Sequence, residues 1–122
     1  MKRLILAAVL SCLVASGAQA MTVAEFLAKA HALQAKGVLA AFSSDIGLLK
    51  NEMAGVSTAY RADLAAQRAA GAKPHSCPPP KGQVSMTSTD LIAEIEKIPA
   101  PQRGMSMKAA FYGIMQRRYP CR

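Results

Sequence analysis

Apolar residues recur at helical spacing from residue 22 onwards. Thr22 can cap a helix start, and Glu25 three residues later can return the bond to the backbone of Thr22, which is the capping-box pattern. The apolar positions that follow are spaced by three and four residues, and they are Val23, Phe26, Leu27, Ala30 and Leu33. Since a stripe of this kind lies on one face of a helix and Gly37 is a typical stop, the pattern predicts a first helix between them.

A second and longer stripe follows the start signal Ser43-Ser44-Asp45. Its apolar members step by three and four residues, and they are Ile46, Leu49, Met53, Val56, Tyr60 and Leu64. The stripe predicts a helix of about 25 residues that ends before Gly71. The short apolar run from Val38 to Phe42 predicts one more helical turn between the two helices. Many alanines in the second helix predict close packing and a thin core.

Residues 71–86 break the helical pattern with two glycines and four prolines. The consecutive prolines Pro78, Pro79 and Pro80 favour an extended polyproline conformation, so this segment is predicted to be a loop. A third helix is predicted near Thr87-Ser88-Thr89-Asp90 and ends before Pro99 and Pro101. The apolar face of the third helix contains Leu91, Ile92, Ile95 and Ile98.

The last predicted helix begins at Gln102 or Ser106 and ends at Tyr119, before Pro120. Its apolar face contains Met107, Ala110, Phe111, Ile114 and Met115. No segment alternates with the period of a strand, and each stripe must be buried against another. The sequence therefore predicts an all-α fold, a small bundle of about four amphipathic helices in a single domain over residues 21–122.

The first twenty residues have the three parts of a secretory signal peptide. Lys2 and Arg3 form the basic start, an apolar run extends from Leu4 to Val14, and Ala18-Gln19-Ala20 offers a cleavage site after residue 20. A retained membrane anchor is the alternative, but a spanning helix needs about 20 apolar residues. Cys12 raises a lipoprotein alternative, which the bulky Leu10 disfavours. We therefore expect export to the periplasm.

Signal cleavage would leave two cysteines, Cys77 and Cys121. An even pair in an exported chain predicts a disulfide, because an oxidising compartment preserves such bonds. The alternative is a free reactive thiol, which would need a neighbouring base or a Cys-x-x-Cys pattern, and the sequence has neither.

Catalytic chemistry has few candidates in this sequence. His75 lies beside Ser76 in the proline-rich loop and is expected to be solvent-exposed, while His31 is expected to pack at the edge of the apolar face of the first helix. Asp90, Glu94 and Glu96 are expected on a solvated helix face rather than as a catalytic pair. We therefore expect no enzymatic activity, no cofactor and no metal site.

Positive charge is concentrated at the C-terminus. Residues 21–122 contain 13 basic and 7 acidic residues, a net charge of +6, and residues 103–122 hold five basic and no acidic ones. The five are Arg103, Lys108, Arg117, Arg118 and Arg122. They either complement the helix dipole or attract an acidic partner. Nucleic acid is not expected as a partner, because the loop lacks aromatic residues that would stack bases.

Several motifs of the C-terminal half resemble the Rap/Tai family of periplasmic immunity proteins of type VI secretion, which are similar in fold to HdeA-like chaperones. The motifs cover about residues 76–122, and they are Cys77-Pro78-Pro79, Asp90-Leu91-Ile92, Ile98-Pro99, Ala110 and Tyr119-Pro120-Cys121. The resemblance implies a helical periplasmic domain that binds and blocks a cell-wall amidase. Between Met21 and Ser76 the chain lacks the further cysteine pair that the family usually holds.

The leading functional prediction is thus a periplasmic binding protein of the immunity type. Its partner would be a protein such as a secreted peptidoglycan amidase, and a homodimer is left open. The rigid loop from Pro78 to Gln83 could plug the cleft of such a partner. The predicted partner-binding residues are Pro78, Pro79, Lys81, Arg103, Arg117 and Arg118. The alternative is an HdeA-like chaperone that exposes its apolar helix faces when acid loosens the domain.

Overall fold

The computed structural model describes residues 20–122, and this part of the chain is an all-α bundle without strands. The prediction of about four helices is confirmed. Their bounds are α1 Val23–Lys36, α2 Ser44–Ala69, α3 Ser88–Glu96 and α4 Met107–Arg118. Short 3-10 helices occupy Gly37–Phe42 and Ala100–Gln102. The predicted signal peptide, with Cys12, lies outside the described residues except for Ala20.

Helix α1 begins and ends where its sequence signals lie. The side chain of Thr22 accepts from the backbone N–H of Glu25 at 3.2 Å, and the Glu25 carboxylate accepts from the N–H of Thr22 at 3.1 Å. This reciprocal pairing satisfies two amides that a helix start leaves free. Gly37 ends the helix with φ of 57°, a backbone conformation that favours glycine.

Helices α3 and α4 begin with similar caps. Thr87 and Asp90 form a capping box, and Ser106 accepts from the N–H of Ala109 at 3.1 Å. Ser106 is therefore the start of α4, which settles the choice between Gln102 and Ser106. The segment before α1 pairs with the start of α4, because the N–H of Met107 donates to the carbonyl of Met21 and that of Val23 donates to Met105, both at 2.9 Å.

The core consists of buried residues from α1, the second half of α2, α3 and α4, with α1 in contact with each of the other three helices. All five predicted apolar residues of α4 are buried. Tyr60 of α2 lies at the centre, 1% exposed, with edge-to-face contacts to Phe111 and Tyr112 at centroid distances of 5.4 and 5.3 Å. Such geometry is favourable beyond the area that the rings bury.

The first half of α2 corrects one expectation. Val56, Tyr60 and Leu64 of its stripe are buried, but the earlier members of the stripe are only half-buried, and they are Ile46, Leu49 and Met53. These residues stay half-buried because α2 is much longer than the helices beside it. Helix α2 has 26 residues and α4 has 12, or about 39 Å against about 18 Å at 1.5 Å per residue. The shorter helices therefore cannot cover the whole stripe.

A disulfide joins Cys77 to Cys121, as predicted, with Cα atoms 5.0 Å apart and a sequence separation of 44. The N–H of Cys77 also donates to the carbonyl of Tyr119 at 2.8 Å. The bond thus fastens the proline-rich loop to the chain that follows α4. Within residues 20–122, none of the helices has both the length and the apolar character needed to cross a membrane.

Candidate functional site: an apolar groove and an apolar corner

An open apolar groove of about 680 Å³ lies between α1, α2, the start of α3 and the segment that leads into α3. Its walls are the half-buried part of the α2 stripe and the facing residues of α1. The apolar lining residues are Phe26, Ala30, Leu33, Ile46, Leu49, Met53, Val84, Met86, Leu91, Ile92 and Phe111. The groove exists because α2 extends beyond the helices that would cover it.

The polar residues of the groove include a single charge. Gln34, Lys50, Ser57 and residues 87–89 complete the lining, and none of them is acidic. Lys50 is exposed, and its ammonium makes no ion pair within residues 20–122. The groove therefore combines an apolar floor with one cation that has no counter-charge in the described part of the chain.

Beside the groove, the 3-10 helix between α1 and α2 exposes three large apolar side chains. Val38 is 90%, Leu39 64% and Phe42 88% exposed, and we call these three residues the apolar corner. They follow Gln34 and precede Ile46, which both line the groove. Single exposed apolar residues are ordinary, but three within one short 3-10 helix are a candidate interaction surface.

The proline-rich loop, which the sequence predicts as the contact surface, is held on several sides. Pro78 and Pro79 are half-buried, and the carbonyl of Pro79 accepts from the Arg61 guanidinium at 3.0 Å. Lys81 is exposed at the tip of a turn closed by the N–H of Gln83 donating to Pro80 at 3.0 Å. Gly82, with φ of 91°, supplies the conformation that this turn requires.

A polar cluster lies beneath the loop, and no pattern in the sequence predicts it. The hydroxyls of Ser76 and Tyr60 hydrogen-bond, and Ser76 is 0% exposed. The Tyr112 hydroxyl donates to the Asp63 carboxylate at 2.5 Å, and the ammonium of Lys108 lies 3.7 Å from the same carboxylate. Burial, and then the bond to Asp63, raises the pKa of Tyr112 well above its usual range.

His75 corrects a second expectation, since it is half-buried rather than solvent-exposed. Its ring centroid lies 5.6 Å from that of Tyr112, and its backbone N–H donates to Gln67 at 2.7 Å. Its Nδ1 atom is buried and has no hydrogen-bond partner in the described structure. Because Ser76 is buried and already bonded to Tyr60, the His75-Ser76 pair does not form an accessible nucleophile and base.

His31 corrects a third expectation, because it does not pack at the edge of the apolar face. Its side chain is 50% exposed, and its Nε2 atom lies 2.7 Å from the carboxylate of Glu96. The pair links α1 to the end of α3. Packing was predicted from the spacing of His31 to Leu27, but spacing along one helix does not reveal a carboxylate on another.

The other two carboxylates of α3 have local partners. The backbone and side chain of Thr87 bind Asp90 and hold the pKa of that carboxyl below its usual value. Lys97 donates to Glu94 at 2.9 Å, which lowers the pKa of Glu94. Neither carboxyl shows the raised pKa of a general acid. Among residues 20–122, no three His, Cys, Asp or Glu side chains form a group that could hold a metal ion.

The basic residues predicted to bind a partner have different surroundings. The guanidinium of Arg103 donates to the carbonyls of Ile98 and Glu96 at 2.9 and 3.0 Å, so it stabilises the turn between α3 and α4. Arg117 and Arg118 are exposed at the other end of α4. These two arginines lie near Glu94 of α3, and their charges help to lower the pKa of that carboxyl.

No family model, no curated protein and no solved structure matches the chain. The resemblance to the Rap/Tai family thus depends on the short motifs of residues 76–122, and the function has to be argued from the surfaces themselves.

Proposed function

We propose that this chain is a non-enzymatic binding protein of the periplasm that holds a partner protein on its apolar groove and corner. One observation carries the proposal. Val38, Leu39 and Phe42 are 90%, 64% and 88% exposed beside an uncovered apolar groove. Apolar area left in water is unfavourable, and its burial against a partner recovers roughly 25 cal/mol per Å². A partner protein is therefore the ligand class that best fits this surface.

Export is the second part of the proposal, and two features support it. The first twenty residues carry the pattern of a cleaved secretory signal. The disulfide between Cys77 and Cys121 is of the kind that an oxidising compartment preserves. Both features fit a protein that meets its partner in the periplasm.

The nature of the partner follows from the motif resemblance. Immunity proteins of the Rap/Tai type bind and block a cell-wall amidase, and the motifs of residues 76–122 favour the same role here. In this role the chain needs no catalytic group, because occupation of the amidase cleft is sufficient for inhibition. Lys81 and the turn around it form a second candidate contact, since the disulfide and Arg61 already hold the loop in place.

A chaperone of the HdeA-like type is the second candidate, and the composition of the groove favours it. Met53 and Met86 line the groove, and methionine adapts to apolar segments of differing shape. A chaperone would bind many unfolded clients and would do so more strongly in acid. An immunity protein would bind one folded partner at neutral pH.

Site-specific crosslinking tests the proposal and separates the two candidates. A photoreactive phenylalanine analogue replaces Phe42 in the full chain, and a matched variant carries it at Lys73, which is exposed in the loop away from the groove. We expect the first variant to crosslink at neutral pH to one protein whose amidase activity the purified chain inhibits. Equal crosslinking from both positions would overturn the proposal, and many unfolded clients captured only in acid would favour the chaperone.

A further inference from the structure

The turn that carries Lys81 is open to solvent along its whole length. Residues 80–83 are all exposed, and neither Lys81 nor Gly82 makes a backbone hydrogen bond within residues 20–122. The space beside Gly82 is also open, since no atom beyond its chain neighbours lies within 4 Å of the position that its Cβ would take. Exposed loop tips with small residues are the places where proteases preferentially cut folded proteins. The peptide bond between Lys81 and Gly82 is therefore accessible to a protease.

The side chain of Lys81 is available for recognition. It is exposed, and its ammonium makes no ion pair within residues 20–122. One class of proteases selects a basic residue before the cut through a carboxylate in the pocket that receives the side chain. Lys81 can enter such a pocket without breaking an ion pair of this chain.

Most of the other basic residues between positions 20 and 121 are protected by their helices. The basic residues of α1, α2 and α4 lie where the backbone groups bond within the helix. A protease binds its substrate as an unpaired chain, so a helix has to open locally before it can be cut. These sites are therefore closed in the folded protein.

Three basic residues outside those helices are protected in other ways. Lys73 is exposed in the loop, but it precedes Pro74, and a bond to proline is a poor substrate because the ring fixes the backbone. The N–H groups of Lys97 and of the residue after it both donate to the last turn of α3. Arg103 is half-buried, and its guanidinium bonds to two carbonyls. Lys81 thus differs from all of them.

Hydrolysis after Lys81 would leave the two pieces of the chain joined. One water is consumed: the carbonyl carbon of Lys81 takes the oxygen and becomes a carboxylate, and the nitrogen of Gly82 takes the protons and becomes an ammonium. Cys77 lies before the cut and Cys121 after it, so the disulfide links the two pieces. Their helices also share one core. The product is therefore a two-chain protein with the same fold.

The cut would also free one side of the groove. Val84 and Met86 line the groove and pack against the core. In the intact chain their segment is held at both ends, by the turn of residues 80–83 and by the capping box of Thr87 with Asp90. After the cut, only the end at Thr87 remains attached.

We propose that the Lys81–Gly82 bond is a site of limited proteolysis for a protease that recognises lysine, and that cleavage gives a disulfide-linked two-chain form in which residues 82–86 leave the groove. The inference is independent of the proposed function, because it depends on the loop and not on a bound partner. Lys81 is also a predicted contact residue, so cleavage would divide that contact.

Limited digestion of the full, disulfide-bonded chain with trypsin tests the inference. We expect the first cut within residues 20–121 to fall after Lys81 and to be at least about tenfold faster than the next, since most other sites need a helix to open. The cut adds the mass of one water to the non-reduced protein. Reduction should then separate one piece that ends at Lys81 from another that begins at Gly82.

Two variants and one chemical probe supply the controls. Lys81→Gln should abolish the early cut, whereas Lys73→Gln makes the same change of charge in the same loop and should leave its rate unchanged. Both positions are exposed, and circular dichroism verifies that both variants fold. Hydrogen peroxide reports the release of the segment. Met86 should oxidise at least about threefold faster in the cleaved protein, because oxidation follows exposure, whereas Met107, which is 0% exposed, should oxidise at the same rate.

Four results would overturn the inference. Three of them are a first cut elsewhere within residues 20–121, an equally fast first cut in Lys81→Gln, and an unchanged rate of Met86 oxidation after cleavage. The fourth is a stoichiometric loss of trypsin activity while the bond stays intact, since the loop would then be an inhibitor and not a substrate.

Discussion

The hydroxyls of Tyr60 and Ser76 hydrogen-bond inside the core and join the middle of α2 to the proline-rich loop. Tyr60 is 1% and Ser76 0% exposed, so each hydroxyl depends on the other rather than on water. The bond lies one residue before Cys77, whose disulfide holds the same loop from the outside. A buried hydrogen bond and a disulfide therefore hold the same part of the proline-rich loop.

Removing one hydroxyl of this pair should destabilise the fold more than its single hydrogen bond suggests. Tyr60→Phe or Ser76→Ala leaves a buried group without a partner, and each should lower the free energy of unfolding by about 1–3 kcal/mol. The double variant should lower the free energy of unfolding by less than the sum of the two single variants, because neither hydroxyl is then left without a partner. Urea denaturation of the four proteins measures this cycle, and strictly additive losses would contradict the coupling.

Loss of the disulfide should loosen the loop before the helices. Cys121→Ser should lower the free energy of unfolding by about 2–5 kcal/mol, the usual range for a native disulfide in a small domain. Hydrogen exchange should increase most in residues 72–86, which lose their tie to the chain after α4. Mass spectrometry after non-reducing digestion should find Cys77 linked to Cys121, and two free thiols in protein purified under oxidising conditions would contradict the bond.

Two phenylalanines should respond very differently to the same substitution. Phe26 is 4% exposed and Phe42 is 88% exposed. Phe26→Ala should therefore lower the free energy of unfolding by about 3–5 kcal/mol, because it removes buried apolar area and leaves a cavity. Phe42→Ala should change the free energy of unfolding by less than about 0.5 kcal/mol. Chemical denaturation compares the two variants. A large loss from Phe42→Ala would mean that the apolar corner supports the fold and is not a free surface.

Alkaline pH should reveal the environment of Tyr112. Its folded-state pKa is raised by burial and by Asp63, whereas an unfolded tyrosine has a pKa of about 10. The folded state therefore favours the protonated phenol, so this stabilisation is complete below about pH 10 and is lost as pH rises through the folded value. The difference in tyrosinate absorbance between the protein and Tyr112→Phe isolates this group. Titration of Tyr112 near about 10 would contradict the burial, and Asp63→Asn should lower its pKa.

The sequence predicts the helices well because their start and stop signals are local. Thr22 with Glu25 and Thr87 with Asp90 lie three residues apart, so the capping geometry follows from the sequence alone. The disulfide was also predictable, because only two cysteines follow the expected cleavage site. Both inferences need no knowledge of which helices contact each other.

The groove and the polar cluster could not be predicted in the same way. Leu49 and Leu64 occupy the same stripe of α2, yet only Leu64 is buried, because burial depends on which helix lies opposite. The pairing of Tyr112 with Asp63 joins α4 to α2 and has no sequence signal. The predicted length of α2 was one clue to the groove, since a helix of about 25 residues is too long for the shorter predicted helices to cover.

The pairing of Met21 and Val23 with the start of α4 has a consequence for the order of assembly. Synthesis delivers the N-terminus first, but the partners of this segment, Met105 and Met107, emerge only after α1, α2 and α3. Cys121, which closes the disulfide, emerges later still. Until the start of α4 has emerged, α1 can pack against α2 and α3 but lacks these two backbone bonds, so the N-terminal end of the first helix is the part of it that is fixed last.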